Sequence, residues 1–175
     1  PRAAWAEANA LLREIGAFDE AARLTAHGGA LTGLPLPPRL AHMVVAAEGN
    51  RRLAARLGLL LSEQGLGGRD ADARERLSRL ESERSPRGRA ARGLADRIAE
   101  RAGAARDELI DVNAAAAVLA RGFPDRVAKA RGGGQFVLAN GRAGAVEAAD
   151  ALAREPFLVV ADMTGRATRA QIRFA

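Results

Sequence analysis

Cysteine and tyrosine are both absent from this 175-residue chain, and aromatic residues make up only 3% of it. Without cysteine there is no disulfide framework and no thiolate metal site. Few aromatics argue against a surface built mainly on base stacking, which needs aromatic platforms. Apolar runs are short as well. None approaches the roughly 20 residues that cross a bilayer, and no secretory signal precedes the first helical pattern. Lysine occurs once, as Lys129, so the 27 basic residues are almost all arginine and the net charge is +6. Arginine suits phosphate because its planar fork can bond two oxygens at once; a GC-rich genome would give the same bias. The sequence opens on Pro1 rather than Met and ends on the strand-like "QIRFA", which predicts a piece of a longer protein.

What is present is a hydrophobic content of 48%, enough for a core, and strong local punctuation. Leu11, Leu12 and Ile15 give a helix over 4–16, closed by Gly16. Thr25 is a good N-cap for a second, short helix. There Gly28 and Gly29 let another backbone come close. Pro35, Pro37 and Pro38 stiffen an elbow, and Pro38 suits the first turn of a third helix with Leu40, Met43, Val44 and Ala47 as its apolar stripe. Helical spacing continues to about Arg121. Asn50 is placed to cap one helix, Asp72 begins the next, and Ser85 caps another.

The texture changes at Gly122. "GFPDRVAKARGGG" reads as a turn, a basic segment and a glycine loop. "QFVLA" and "FLVVADM" read as strands, "NG" at 140–141 as a hairpin turn, and "ATRAQIRFA" as a third strand. The expected fold class is α+β, with a mostly helical N-terminal two-thirds followed by a small antiparallel β domain.

Catalytic signatures are missing. No G-x-x-x-x-G-K-[ST] cradle occurs, and "GGG" at 132–134 lacks the lysine and the helix that such a loop needs. His27 and His42 have no carboxylate or cysteine at zinc spacing. No G-x-S-x-G elbow supports a serine nucleophile. The paired acids sit among arginines as solvated helix faces.

Several ordered motifs carry a family resemblance. Leu24-Thr25, Gly28, Leu34-Pro35-Leu36, Pro38-Arg39-Leu40 and Met43 resemble the segment after the second motor domain of DEAH-box helicases. "GFPDR", "LANGR" and "LVVAD" are similar to motifs of the bacterial HrpB-type ATP-dependent helicases. The resemblance implies a winged-helix-like segment over 1–36, a helicase-associated (ratchet) bundle over 37–121 and a truncated OB-like domain over 122–175. It implies a cytoplasmic bacterial protein with no membrane partner. Its partners would be a single strand of RNA or DNA and the motor domains of the same polypeptide. ATP and Mg are implied for the full-length protein only; no cofactor and no catalytic residue is expected in this chain. The rigid elbow would pass motor movement to the bundle.

The basic stretch from Arg121 to Arg142 is the expected phosphate contact, in preference to Arg84, Arg87, Arg89 and Arg92. The candidate nucleic-acid residues are Arg39, Arg126, Lys129, Arg131, Asn140 and Arg142. Phe123 and Phe136 are the aromatics considered for stacking; alternation with Leu138 puts Phe136 in the core, and Phe123 reads as a plug between bundle and sheet. The rival reading is an Arg-rich helical module that binds an acidic partner, and a third is a structural spacer.

Overall fold

A computed structural model describes residues 2–165 and 170–175. Helix α1 (Arg2–Glu14) ends at Gly16, whose φ is +72°. The chain doubles back through an antiparallel bridge between Phe18 and Leu24 and enters α2 (Ala26–Thr32). Thr25 works in both directions. Its hydroxyl accepts from the Gly28 N–H at 2.9 Å and donates to the Gly16 carbonyl at 2.7 Å, so one side chain caps α2 and ties it to the end of α1. Gly28 is required here: a Cβ would lie 2.2 Å from the Ala17 carbonyl oxygen, whereas one at Gly29 would meet nothing within 4 Å.

The proline elbow leads into α3 (Pro38–Ala46), with Pro38 in its first turn. Helix α4 (Arg51–Ser62) is the centre of the bundle, with Leu53 through Leu60 all buried. Around it stand α5 (Ala73–Ser82), α6 (Pro86–Arg101) and α7 (Ala115–Gly122). Ser85 caps α6 as expected, accepting from Gly88, and Asp72, read as the first residue of its helix, is the cap of α5 and accepts from Arg74. Asn50 stands at the start of α4, but its side chain makes no capping bond. The acceptor instead comes from far along the chain: Glu108 Oε1 takes the Arg52 N–H at 2.6 Å. A carboxylate there also favours the positive end of the helix.

The C-terminal part is a curled six-stranded sheet in the order β4-β1-β2-β3-β6-β5. The strands are β1 (Val127–Gly132), β2 (Gln135–Leu138), β3 (Ala143–Ala145), β4 (Phe157–Val159), β5 (Asp162–Thr164) and β6 (Ala170–Phe174). Two expectations are corrected and one, the antiparallel sheet, is refined. The basic segment is itself a strand, β1, paired on both sides. The sheet is antiparallel except between β3 and β6, which run parallel. And "FLVVADM" is two strands, not one. It divides where the Val160 N–H donates to Arg126 at 3.0 Å and the Ala161 N–H donates to Phe174 at 2.9 Å. Neighbouring residues thus bond to the start of β1 on one side and to β6 on the other. The last strand keeps Ala170, Ile172 and Phe174 buried; Ala167 to Arg169 lie outside the described residues.

Ala128, Phe136, Leu138, Leu158, Val160 and Ile172 form the inner core of the sheet. Val159, Ala161 and Phe174 pack instead into the core of the bundle. The join is reinforced by the backbone, because the Ala73 N–H donates to Ala175 and the Ala175 N–H to Ala71, both at 2.9 Å. Arg76 lies over the Phe174 ring and donates to the Leu60 and Leu66 carbonyls. Among the described residues no helix is long and apolar enough to cross a membrane.

Candidate nucleic-acid interface

Strand alternation sorts the basic residues. Ala128 is buried, so its neighbours Val127 and Lys129 face outward from β1, and Lys129 is exposed. Lys129 pairs with Phe157 on one side and with Val137 on the other, and Val137 pairs with Ala143. Cross-strand partners project from the same face. Phe157, Lys129, Val137 and Ala143 therefore form one row across four strands. Gln135, Ala145 and Gln171 form a second row beside it. Arg131 stands next to these rows at a bulge before Gly132. Between them runs an open groove of about 390 Å³ floored by Val137, Ala143 and Ala145, with Arg131 at its wall. The two alanines keep the floor flat.

The six candidate residues fall into two sets. Lys129, Arg131 and Arg142 are exposed, and among the described residues none has an ion-pair partner. Arg39, Arg126 and Asn140 instead converge on Asp125. Arg39 donates to Asp125 Oδ1 at 2.7 Å and to the Gly122 carbonyl at 2.9 Å. Asn140 reaches Asp125 Oδ2 at 3.4 Å, and Arg126 donates to the Ala161 carbonyl at 2.9 Å. The guanidinium groups of Arg39 and Arg126 both lie over the ring of Phe123, which is buried between bundle and sheet. Burial pushes the Asp125 carboxyl up, but Arg39, Arg126 and Asn140 together hold it below its usual value. For Arg126, burial and then the nearby Arg39 lower the guanidinium pKa. This cluster fixes how the sheet sits on the bundle.

In the other basic run only Arg92 is half-buried; Arg84, Arg87 and Arg89 are exposed and, among the described residues, make no ion pair, but three of the four arginines are held to backbone carbonyls. Arg92 donates to the Leu80 and Glu83 carbonyls, Arg87 to Gln64 and Arg89 to Arg84. The histidines, fifteen apart in sequence, are brought together: His27 Nε2 and His42 Nδ1 lie 2.8 Å apart. Among the described residues no cluster of three or more metal-ligating side chains occurs. The glycine run does not fit a nucleotide phosphate. Gly132, Gly133 and Gly134 all have positive φ and make the turn between β1 and β2. No lysine follows them, and strand β2 rather than a helix N-terminus opens after them.

Sequence reasoning missed Phe157. It is 59% exposed and directly opposite Lys129. Its signal lay in the alternation of "FLVV", where Leu158 turns inward and Phe157 must turn out, but only the register with β1 places it beside the cation.

A helical bundle that carries a curled, OB-like sheet with a basic outer face has the layout of a helicase accessory region. Two solved structures with the same arrangement are of the HrpB helicase. The chain superimposes on the crystal structure of the E. coli DExH-box NTPase HrpB with a TM-score of 0.77 and 30% identity, over 95% of this chain and 20% of that one. It is similar also to the Escherichia coli DEAH/RHA helicase HrpB, with a TM-score of 0.74 and 30% identity, over 90% of this chain and 19% of that one. The chain thus spans about a fifth of the length of these structures. No family model matches it, and no curated protein does.

Proposed function

We propose that this chain is the C-terminal accessory region of an ATP-dependent DEAH-box helicase, and that it guides a single nucleic-acid strand across the outer face of its sheet. Motor domains elsewhere in the same cytoplasmic polypeptide would hydrolyse ATP with Mg; this region would keep the strand on its path. The observation that carries the reading is the division of the basic residues. Lys129, Arg131 and Arg142 stand exposed and without an ion pair among the described residues, and Arg131 lines the groove together with one acid, Glu147. Arg39 and Asn140 are instead held by Asp125, and Arg126 by the Ala161 carbonyl. The similarity to HrpB supports the helicase context. A surface evolved for an acidic protein would draw on the helical arginines, yet many of those are occupied within the bundle.

The test is the salt dependence of strand binding. Replacing Arg131 and Arg142 by alanine is expected to weaken binding to RNA and DNA strands of every sequence alike. The slope of log K against log salt becomes shallower by about 0.7 for each phosphate that is no longer neutralised. A slope equal to that of the wild type would reject this face as the phosphate site.

A further inference from the structure

We propose that Phe157 is a stacking platform for one unpaired base of the strand, with Lys129 holding the adjoining phosphate. The inference rests on the phosphate-binding reading above and adds an aromatic platform that the poverty of aromatics in the sequence argues against.

The placement is unusual for a core residue. Phe157 is 59% exposed, whereas its strand neighbours Leu158 and Val159 are 6% and 8% exposed. It sits on an outer strand with β1 on one side; on the other side it borders a cleft shared with Asn113, Ala115 and Ala116 of the bundle, and the ring is left more than half exposed. Its cross-strand partner is Lys129, and such partners have Cβ atoms about 4.5–5.5 Å apart. A base lying on the ring leaves its own phosphate within reach of the ammonium group. The nearest acid in sequence, Glu155, faces Arg74 at 3.7 Å, which offsets its repulsion of a phosphate. From Phe157 the row continues over Lys129 to Val137 and Ala143, the floor of the groove. A strand anchored at Phe157 therefore has a path past Arg131.

A base fits this patch better than a protein does. Among the described residues, the only other large exposed apolar side chain close by is Val127, at 37%, and it is two positions from Lys129 on the same face. A ring and one valine fall far short of the roughly 800 Å² per partner of a stable protein interface. A single aromatic ring beside a cation matches a base and its phosphate, and stacking of this kind tolerates any base because every base has a π-face.

The experiment uses the 175-residue chain and a labelled oligo-U of about 12 nucleotides, within the site sizes typical of OB-like folds, with an abasic strand of equal length as control. Phe157→Ala is expected to weaken oligo-U binding about 5- to 150-fold, the range that 1–3 kcal/mol per stacked base gives. Its salt slope stays at the wild-type value because no charge is lost, whereas Lys129→Ala makes the slope shallower by about 0.7. Phe157→Leu keeps the apolar bulk without the π-face and is expected to lose most of the same affinity. In a Trp5→Phe, Phe157→Trp chain the single indole should be quenched by oligo-U and not by the abasic strand. Wild-type binding that is steep in salt, together with a Phe157→Ala chain within twofold of it, overturns the stacking and leaves the phosphate reading standing. So does a Phe157→Leu chain of full affinity. If the wild type shows no salt-dependent binding at all, both fall together.

Discussion

The bundle and the sheet use charge in opposite ways. In the bundle, Arg56 is buried with 6% of its side chain exposed, and it donates to Glu81 at 2.5 Å and to Asp96 at 3.0 Å. Arg52 beside it reaches Asp96, Glu100 and the Ala105 carbonyl. These arginines join α4 to α5, α6 and the loop that follows. In the sheet, the interior is wholly apolar around Phe136, Leu138 and Ile172, and the cations Lys129, Arg131 and Arg142 stand outside. A count of basic residues treats the two groups alike. Only the folded arrangement separates charges that hold the structure from charges that remain available to a ligand.

The largest expected effect tests the apolar side of this contrast. Phe136 is 1% exposed, and Phe136→Ala should destabilise the chain by about 3–5 kcal/mol in urea unfolding. A loss below about 1 kcal/mol would mean that the sheet does not rely on its interior. Next comes Arg56→Ala, which strands Glu81 and leaves Asp96 to Arg52 alone. Both acids are about one-third exposed, so the expected loss is about 2–3 kcal/mol, at or below the low end for a broken buried pair. Were Arg56→Ala neutral, the arginines of the bundle would be no more structural than those of the sheet, and the contrast would collapse.

A smaller effect follows from the histidines. Burial, then the neighbouring His27, pulls the His42 imidazole below its usual value; Arg39 adds to this and the Arg121 backbone opposes it. A depressed folded pKa means that the unfolded chain binds more protons in the window between that value and about 6.5. The contribution is therefore present above about pH 6.5 and is lost as pH falls through the folded value. Melting temperature should drop from about pH 7.5 to about pH 5, and His42→Gln should reduce that drop. Equal drops in both proteins would assign the acid sensitivity to other groups. Smallest of all, Arg131→Ala and Arg142→Ala should change stability by less than about 0.5 kcal/mol, although they alter strand binding. A larger loss would move these residues into the structural set.

Local signals were legible in the sequence. The caps at Thr25 and Ser85, the helix start at Asp72, the proline at the start of α3 and the close approach at Gly28 each depend on residues a few positions apart. The α+β layout followed from the change of texture at Gly122. Long-range partners were not legible. Glu108 takes the capping role at α4 from a distance, and nothing near Asn50 announces it. The parallel pairing of β3 with β6 depends on how the chain between them is routed. "FLVV" reads as one strand because both of its faces find cover over Leu158 and Val159, one in the sheet and the other in the bundle. The candidate site was legible as a basic stretch. Its division into exposed cations and braces was not, because Asp125 draws in Arg39 from 86 residues away in the sequence.

The split run from Phe157 to Thr164 also bears on solubility. The two outermost strands of the sheet, β4 and β5, are its two halves, each three residues long. A long, flat border strand would offer unpaired backbone groups to a second copy of the chain and invite aggregation. Here both borders are too short to template such growth, and they are tethered to each other through Val160 and Ala161. Dislodging this one run would expose β1 and β6 together, so it is the part of the molecule whose loss should make the sheet self-associate.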